Sequence, residues 1–129
     1  MKLKLTYTYQ NTNTPALSNT VLETGVPLNI LDATVTNGAG EMIIDVPASG
    51  EKLESVIVIL RRQGVAAKKI AAVVTIDKKR CISCGACVSP CSVHAINQAS
   101  NWDVEVDHDK CIRCLLCVKA CPVRAISYV

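Results

Sequence analysis

The sequence predicts an α+β protein built from two modules, and two observations predict it. Apolar side chains over about the first 72 residues recur at strand and helix periods in the order β-α-β-β-α-β, the split-βαβ plan. From about residue 73 onward, one cysteine spacing occurs twice, 30 residues apart, as in an internal duplication. We therefore expect one domain over residues 1–72 and a second, pseudo-symmetric domain over residues 73–129.

The elements of the N-terminal module follow from apolar periodicity and turn residues. The segment from Lys2 to Tyr9 alternates polar and apolar side chains, as a half-buried strand does. The run from Asn37 to Gly40 is a strong hairpin signal, and Gly25 and Gly64 are typical helix ends. The predicted elements are strands over residues 2–9, 27–36, 41–46 and 65–76, a helix between Thr14 and Gly25, and a helix between Ser49 and Gly64.

The cysteines of the second module carry its chemistry. They form two sets, Cys81, Cys84, Cys87, Cys91 and Cys111, Cys114, Cys117, Cys121. Three thiolates two residues apart reach three corners of a cubane, and in the bacterial two-cluster pattern the fourth corner is ligated by the other motif. The spacing therefore predicts two 4Fe-4S clusters with crossed ligands. One cluster takes Cys81, Cys84, Cys87 and Cys121, and the other takes Cys111, Cys114, Cys117 and Cys91.

Disulfide bonds and zinc are the competing uses of these cysteines. Residues 1–10 alternate polar and apolar side chains and lack the apolar core of a signal peptide, which disfavours an oxidised, secreted framework. Zinc takes four tetrahedral ligands that usually come in pairs, so a third cysteine two residues further on would crowd the site. Iron–sulfur clusters remain the favoured prediction.

The duplication extends beyond the cysteines. The other matched pairs are Asp77 and Asp107, Arg80 and Lys110, Ile82 and Ile112, Val88 and Val118, Val93 and Val123, Ala95 and Ala125, and Ile96 and Ile126. We expect the aliphatic side chains of these pairs to surround the clusters and exclude water. We also expect residues 73–76 to pair with 126–129, residues 95–98 to form a hairpin with 104–107, and a short helical turn to follow Cys87 and Cys117.

On these residues, the segment from about Val73 to Val129 resembles a bacterial-type two-cluster ferredoxin. Such domains usually have proline after the fourth cysteine of the first motif, where this chain has Ser92. They also usually have glycine after the second cysteine, which is kept as Gly85 but replaced by Leu115 in the second motif. We expect both departures to change the hydrogen bonding to sulfur and the access of solvent. Both of these properties influence the reduction potential of a cluster.

The N-terminal module resembles the NIL domain, an ACT-like family named after an Asn-Ile-Leu run that is present here as Asn29, Ile30 and Leu31. The resemblance implies a methionine-binding or interface role for these three residues, with packing at a strand edge as the alternative for Asn29. It also implies pairing as a homodimer through this domain. The fusion with a two-cluster ferredoxin resembles the NIL-ferredoxin group of anaerobes and methanogens, which is associated with homocysteine biosynthesis and reductive sulfur incorporation.

The basic residues concentrate near the cysteine motifs, although the net charge of the chain is only +3. We expect Lys79, Arg80, Arg113 and Lys119 to form a docking face for an acidic partner protein. The alternative is a solvated surface that offsets the negative charge of the clusters.

The favoured function is low-potential one-electron transfer, with two 4Fe-4S clusters, to a partner enzyme that inserts or reduces sulfur. The alternative is a methionine or homocysteine sensor with redox-responsive clusters, and a third hypothesis is a structural subunit of a larger complex. The sequence shows no catalytic constellation, so we expect a carrier or accessory subunit. We expect it to be cytoplasmic, without a membrane span or a nucleic-acid partner.

Overall fold

The computed structural model describes residues 1–129, which form eight strands and three helices in two units, Met1–Ala71 and Ala72–Val129. The first unit contains β1 (Lys2–Tyr7), α1 (Ala16–Thr24), β2 (Asn29–Thr36), β3 (Ala39–Asp45), α2 (Gly50–Arg62) and β4 (Ala66–Ile70). The second contains β5 (Val74–Ile76), β6 (Ile96–Gln98), β7 (Val104–Val106), α3 (Leu116–Ala120) and β8 (Ile126–Tyr128). The predicted α+β class is confirmed.

The first unit has one antiparallel sheet in the order β2-β3-β1-β4. Strand β1 lies between β3 and β4, and its apolar side chains Leu3 and Leu5 are fully buried in the core cluster that they form with α2. Helix α2 covers the sheet with one apolar face, because residues three or four positions apart share a side of a helix. The buried residues of this face are Leu53, Val56, Ile57 and Leu60.

Polar contacts join the two helices of the first unit. The Gln63 side chain donates to the Ala16 carbonyl at 3.2 Å and accepts from the Asn19 amide at 2.9 Å. Thr20, which is fully buried, donates to the same Ala16 carbonyl at 2.7 Å. These bonds satisfy polar groups that would otherwise be costly to bury between α1 and α2.

Three local predictions for this unit are wrong. The predicted strand over residues 65–76 divides into β4 and β5, because β4 pairs with β1 and the first residue of β1, Lys2, already faces Ile70. Strand β1 ends at Tyr7, since the Asn11 side chain accepts from Thr8 and turns the chain, so Tyr9 is 73% exposed. Apolar periodicity predicts one buried stripe of Leu17, Val21 and Leu22 on the first helix, but Leu22 is 84% exposed.

The second unit has two small antiparallel ladders, β5 with β8 and β6 with β7, as the sequence predicts. The left-handed backbone positions repeat between the halves. They are Ser83 and Arg113 (φ 56° and 61°), Gly85 and Leu115 (φ 71° and 60°), and His94 and Arg124 (both φ 51°). The burial pattern of residues 81–90 also equals that of residues 111–120. The duplication is therefore structural as well as sequential.

The predicted helical turn forms after Cys117, as α3, but not after Cys87. Residues 86–90 form turns instead, in which the Cys91 N–H donates to Val88. Pro90 stands where the second half has Ala120, and proline has no N–H to donate to a helical ladder. No helix of the chain is long and apolar enough to cross a membrane.

The buried face of α2 generates a stability prediction. Leu60→Ala should lower the free energy of unfolding by about 2–5 kcal/mol, because Leu60 is fully buried and its truncation leaves a cavity. The matched change Leu22→Ala should cost no more than about 0.5 kcal/mol, since Leu22 is exposed. Urea unfolding followed by far-ultraviolet circular dichroism measures both, and equal losses would contradict the assigned core.

Candidate iron–sulfur centres

Four thiols surround a first cavity in the second unit. Cys81, Cys84 and Cys87 come from the first motif, and Cys121 comes from the second. The cavity has about 310 Å³ of empty space. Every other residue of its wall is apolar: Ile76, Ile82, Gly85, Val104, Val123, Ala125 and Ile126.

A second cavity has the mirrored composition. Cys111, Cys114 and Cys117 line it together with Cys91 of the first motif, around about 330 Å³ of empty space. Its other wall residues are Val74, Val93, Ala95, Ile96, Ile112 and Leu115. Each cavity thus brings together one of the two sets of four cysteines that the sequence predicts as the ligands of one cluster. Which thiolates ligate a cluster stays a prediction.

The approach to each motif is a turn organised by an aspartate. The N–H groups of Arg80 and Cys81 donate to the Asp77 carbonyl at 3.1 and 2.9 Å. In the second half, the Asp107 carboxylate accepts from the N–H groups of Asp109 and Lys110 at 3.1 and 3.4 Å. The short strand that precedes each motif therefore passes directly into a tight loop that places the first cysteine at the cavity.

The fourth cysteine of each motif accepts a backbone hydrogen bond. The Ala95 N–H donates to Cys91 Sγ at 3.2 Å, and the Ala125 N–H donates to Cys121 Sγ at the same distance. Both alanines are buried, so the two bonds lie in surroundings of low polarity. Hydrogen bonds to sulfur stabilise the reduced, more negative state of an iron–sulfur cluster, so these amides would influence the potential of a cluster held here.

Burial raises the pKa of the Cys87 thiol, and the neighbouring Cys81, Cys84 and Cys121 raise it further. Burial likewise raises the pKa of Cys117, with a smaller contribution from Cys111 and Cys114. Because thiolates in one apolar cavity repel one another and lose hydration, they require a cationic group to be stable there.

The donor set fits a cubane cluster. Each cavity offers four soft sulfur donors and no carboxylate or imidazole, which favours iron–sulfur or other thiophilic metals. No group of three or more His, Cys, Asp or Glu side chains converges as the ligands of a single ion do. Tetrahedral zinc needs four sulfurs at about 2.3 Å from one point. Four thiols that line one cavity without converging on a single point instead match a cluster with a separate iron at each corner.

Gly85 and Leu115 are matched positions at which the two cavities differ. A Cβ on Gly85 would lie 2.8 Å from Gln98 Oε1, and the Gln98 amide donates to the carbonyls of Ser83 and Trp102 at 2.8 and 3.1 Å. In the second half, Leu115 lines the cavity in the left-handed region that favours glycine. Tyr128, the counterpart of Gln98, is exposed. A Cβ at Gly85 would therefore displace the Gln98 side chain, whereas the second half accommodates leucine at the matched position.

The four predicted docking residues lie in different surroundings. Arg80 approaches the Asp77 carboxylate at 4.0 Å, and the Lys79 N–H donates to the same carboxylate at 2.9 Å. Arg113 donates to the Val129 carbonyl and lies over the ring of Tyr128. Lys119 is exposed in the last turn of α3. Their role in docking stays a prediction.

The Asn-Ile-Leu run begins β2, which is an edge strand of the first sheet, and Asn29 and Ile30 are exposed. None of Asn29, Ile30 and Leu31 lines the open cavity of this unit, which has about 520 Å³ of empty space. That cavity is lined by Tyr7, Thr12, Thr14, Pro15, Ala16, Leu17, Ser18, Val35 and Met42. No local sequence pattern marks this cavity, because its wall joins a loop and the start of α1 to strands that are distant in sequence. A ligand or interface role for the run stays a prediction.

Paired thiol cavities in a duplicated unit define a ferredoxin-like iron–sulfur protein. Residues 74–128 match the family described as "4Fe-4S dicluster domain", and residues 2–69 match the family described as "NIL domain". The chain therefore belongs to the NIL-domain iron–sulfur proteins, as its resemblance to them predicts.

Two curated relatives carry the description "L-aspartate semialdehyde sulfurtransferase iron-sulfur subunit". The protein of Methanosarcina acetivorans is 32% identical over 104 residues, which are 81% of this chain and 78% of the relative. That of Methanocaldococcus jannaschii is 32% identical over 95 residues, which are 74% and 72%. These relatives are iron–sulfur subunits, which agrees with the prediction of an accessory subunit rather than a catalytic one.

The contact between Gly85 and Gln98 generates a prediction for a double-mutant cycle. Gly85→Ala should destabilise the protein by about 1–2 kcal/mol, because it adds a Cβ at positive φ against the Gln98 side chain. Gln98→Ala alone should cost about 1 kcal/mol through its lost hydrogen bonds. The double variant should lose less than the sum, measured as the urea midpoint of the anaerobic protein. Additive losses would contradict the steric link.

Proposed function

We propose that the chain is a one-electron carrier with two 4Fe-4S clusters that serves a sulfurtransferase partner. The observation that carries the proposal is the pair of thiol cavities, each built from three cysteines of one motif and the fourth of the other. When bound, such clusters supply one-electron storage at low potential. The relatives support the setting, since they are subunits of an enzyme that transfers sulfur.

The residues around the cavities have three tasks in this proposal. The eight cysteines ligate the clusters in the crossed arrangement predicted from the sequence. The apolar walls, such as Ile76 and Val104 in the first cavity and Val74 and Ile96 in the second, exclude water and oxidants. The Ala95 and Ala125 amides hold the sulfurs of Cys91 and Cys121 and stabilise added negative charge.

The proposed partner is the sulfur-transferring subunit of a homocysteine-forming enzyme in the cytoplasm. Reductive incorporation of sulfur consumes electrons, and a small protein with two clusters can deliver two electrons in single steps. The domains 1–72 and 73–129 then have separate roles, with the N-terminal domain binding the partner, a sulfur amino acid or a second copy of the chain. The relatives' description supports the enzyme class and leaves these finer roles as proposals.

The crossed ligand arrangement predicts the outcome of two sets of substitutions. In a variant with Cys81, Cys84 and Cys87 all changed to alanine, one cluster with about four iron atoms should remain. Adding Cys121→Ala should leave that cluster intact, whereas adding Cys91→Ala should remove it, because Cys91 lines the remaining cavity. Iron analysis and electron paramagnetic resonance of the reduced protein measure the result.

The reciprocal set is the control for misfolding. With Cys111, Cys114 and Cys117 changed to alanine, Cys91→Ala should be tolerated and Cys121→Ala should remove the remaining cluster. If each motif instead kept its cluster with its own fourth cysteine, the two single additions would exchange their effects in both sets. That exchange would reject the crossed arrangement.

The electron-carrier function predicts reversible redox chemistry. Anaerobic reduction with dithionite should add about two electrons per chain, one per cluster, and reoxidation should recover them without loss of iron. Reduced protein mixed with the sulfurtransferase subunit and its substrates should reoxidise faster than with that subunit alone. Clusters that cannot be reduced reversibly would instead indicate a structural subunit. Stopped-flow absorbance and iron analysis measure both properties.

A further inference from the structure

The open cavity of the first unit lies beside the start of α1. Leu17 and Ser18, in the first turn of this helix, line the cavity. The helix begins after Pro15, whose side chain has no oxygen to cap it, and its first turn has no acidic residue. The N–H groups of Leu17 and Ser18 therefore have no hydrogen-bond partner in the chain. Such N–H groups carry the positive end of the helix dipole and favour a negatively charged partner.

Tyr7 supplies a second, independent donor. Its side chain lines the same cavity from strand β1 and is only 9% exposed. Its hydroxyl makes no hydrogen bond with another group of the chain. Burial raises the pKa of Tyr7, so the hydroxyl keeps its proton and is a donor at neutral pH. Because buried polar groups in proteins are nearly always hydrogen-bonded, an unpaired phenol at a cavity wall indicates a partner that enters the cavity.

The polar groups that remain available in the wall are donors more than acceptors. The hydroxyls of Thr14 and Ser18 have no hydrogen-bond partner in the chain. The Thr14 carbonyl already accepts from the Ala16 N–H at 2.8 Å. The Pro15 carbonyl likewise accepts from the Asn19 N–H at 2.9 Å. No carboxylate or side-chain amide lines the cavity, so an ammonium group would find only hydroxyls as acceptors, whereas a carboxylate would find several donors.

Gly40 leaves space at the sheet side of the cavity. It lies opposite Tyr7 in the ladder with β1 and opposite Val35 in the ladder with β2. Directly opposed residues of an antiparallel pair have their side chains on the same face of the sheet. A side chain at position 40 would therefore stand between Tyr7 and Val35, and even a Cβ would lie 2.9 Å from Val35 Cγ2. The space that glycine leaves is available to a ligand.

The rest of the wall defines the other half of the ligand. Leu17, Val35 and Met42 give it an apolar surface, against which a short aliphatic chain can pack. No lysine, arginine or histidine side chain lines the cavity. Because the cost of removing an ion from water rises steeply with its charge, neutral donors alone suit a monoanion better than a phosphate dianion.

We propose that this cavity binds a small aliphatic carboxylate that has no amino group. The carboxylate accepts hydrogen bonds from the Leu17 and Ser18 N–H groups and from the Tyr7 hydroxyl, and its chain packs against the apolar wall. The site is distinct from the Asn-Ile-Leu run, which does not line the cavity. The ligand class also differs from the amino acids to which the resemblance to NIL domains points. The inference concerns the first unit alone and does not depend on the clusters of the second.

Three compounds with one carbon skeleton test the ligand class. Isocaproate is the carboxylate, L-leucine is the same acid with an α-ammonium group, and isohexanol is the uncharged alcohol. In a proton–nitrogen NMR titration of the oxidised, anaerobic holoprotein, isocaproate should move the Leu17 and Ser18 amide protons downfield to saturation, with a Kd of about 1 mM or lower. L-leucine and isohexanol should bind about tenfold more weakly or not at all.

The role of the Tyr7 hydroxyl is tested by its removal. Tyr7→Phe should weaken isocaproate binding about tenfold, because a hydrogen bond to a charged group is lost. It should leave the urea midpoint unchanged, since the hydroxyl has no partner in the chain. Tyr9→Phe is the matched control. It should leave the Kd unchanged, because Tyr9 is 73% exposed and does not line the cavity.

The negative charge of the ligand is tested at Ser18, which is exposed and tolerates substitution. Ser18→Asp should abolish isocaproate binding, because its carboxylate takes the place of the ligand at the start of α1. Ser18→Asn has a similar size and no charge, and it should keep the Kd within about threefold of the wild-type value.

Four results would overturn the proposal. They are binding of L-leucine as tight as that of isocaproate, equally tight binding of isohexanol, an unchanged Kd in Tyr7→Phe, and no saturable shift with either isocaproate or its shorter homologue butyrate. Iron content and reversible reduction report separately on the proposed electron-carrier function, so neither proposal depends on the success of the other.

Discussion

The second unit depends on one constraint: each thiol cavity is completed by a cysteine from the other half of the duplication. Cys121 closes the cavity of the first motif, and Cys91 closes that of the second. Neither half can therefore assemble its own cavity, and the two must fold together. The short ladders β5–β8 and β6–β7 bring the halves into register, although each strand has only three residues. Ligation across the halves would add the cohesion that so small a core lacks.

The duplication also allows each residue of one cysteine motif to be compared with its counterpart in the other. The matched loops share their left-handed positions and their burial, so a substitution in one half has a direct reference in the other. Gly85 leaves space for Gln98, whereas Leu115 lines the second cavity and Tyr128 is exposed, beneath Arg113. The backbone is thus nearly symmetric, and the chemistry at its two exposed cysteines is not.

The N-terminal unit contributes by a different physical route. Its stability comes from an aliphatic core between one sheet and α2, with Leu3, Leu5, Val56 and Leu60 fully buried. It offers an exposed edge strand, β2, and an open cavity lined by hydroxyl and apolar side chains. An edge strand and an open cavity with a few hydroxyl groups are both means of binding another molecule.

Local sequence determined much of this protein. The period of the apolar residues identified the β-α-β-β-α-β order, and the cysteine spacing identified the chemistry, because both depend on neighbours along the chain. Tertiary structure decided the rest. The run from Val65 to Ile76 reads as one strand, and it divides where the ladder between β1 and β4 ends, with Lys2 opposite Ile70. Two contacts join residues that are distant in sequence, namely Gly85 with Gln98 and Arg113 with Tyr128. The exposure of Cys84 and Cys114 is likewise a property of the folded unit. Periodicity cannot encode such contacts, since they arise only when the two halves pack.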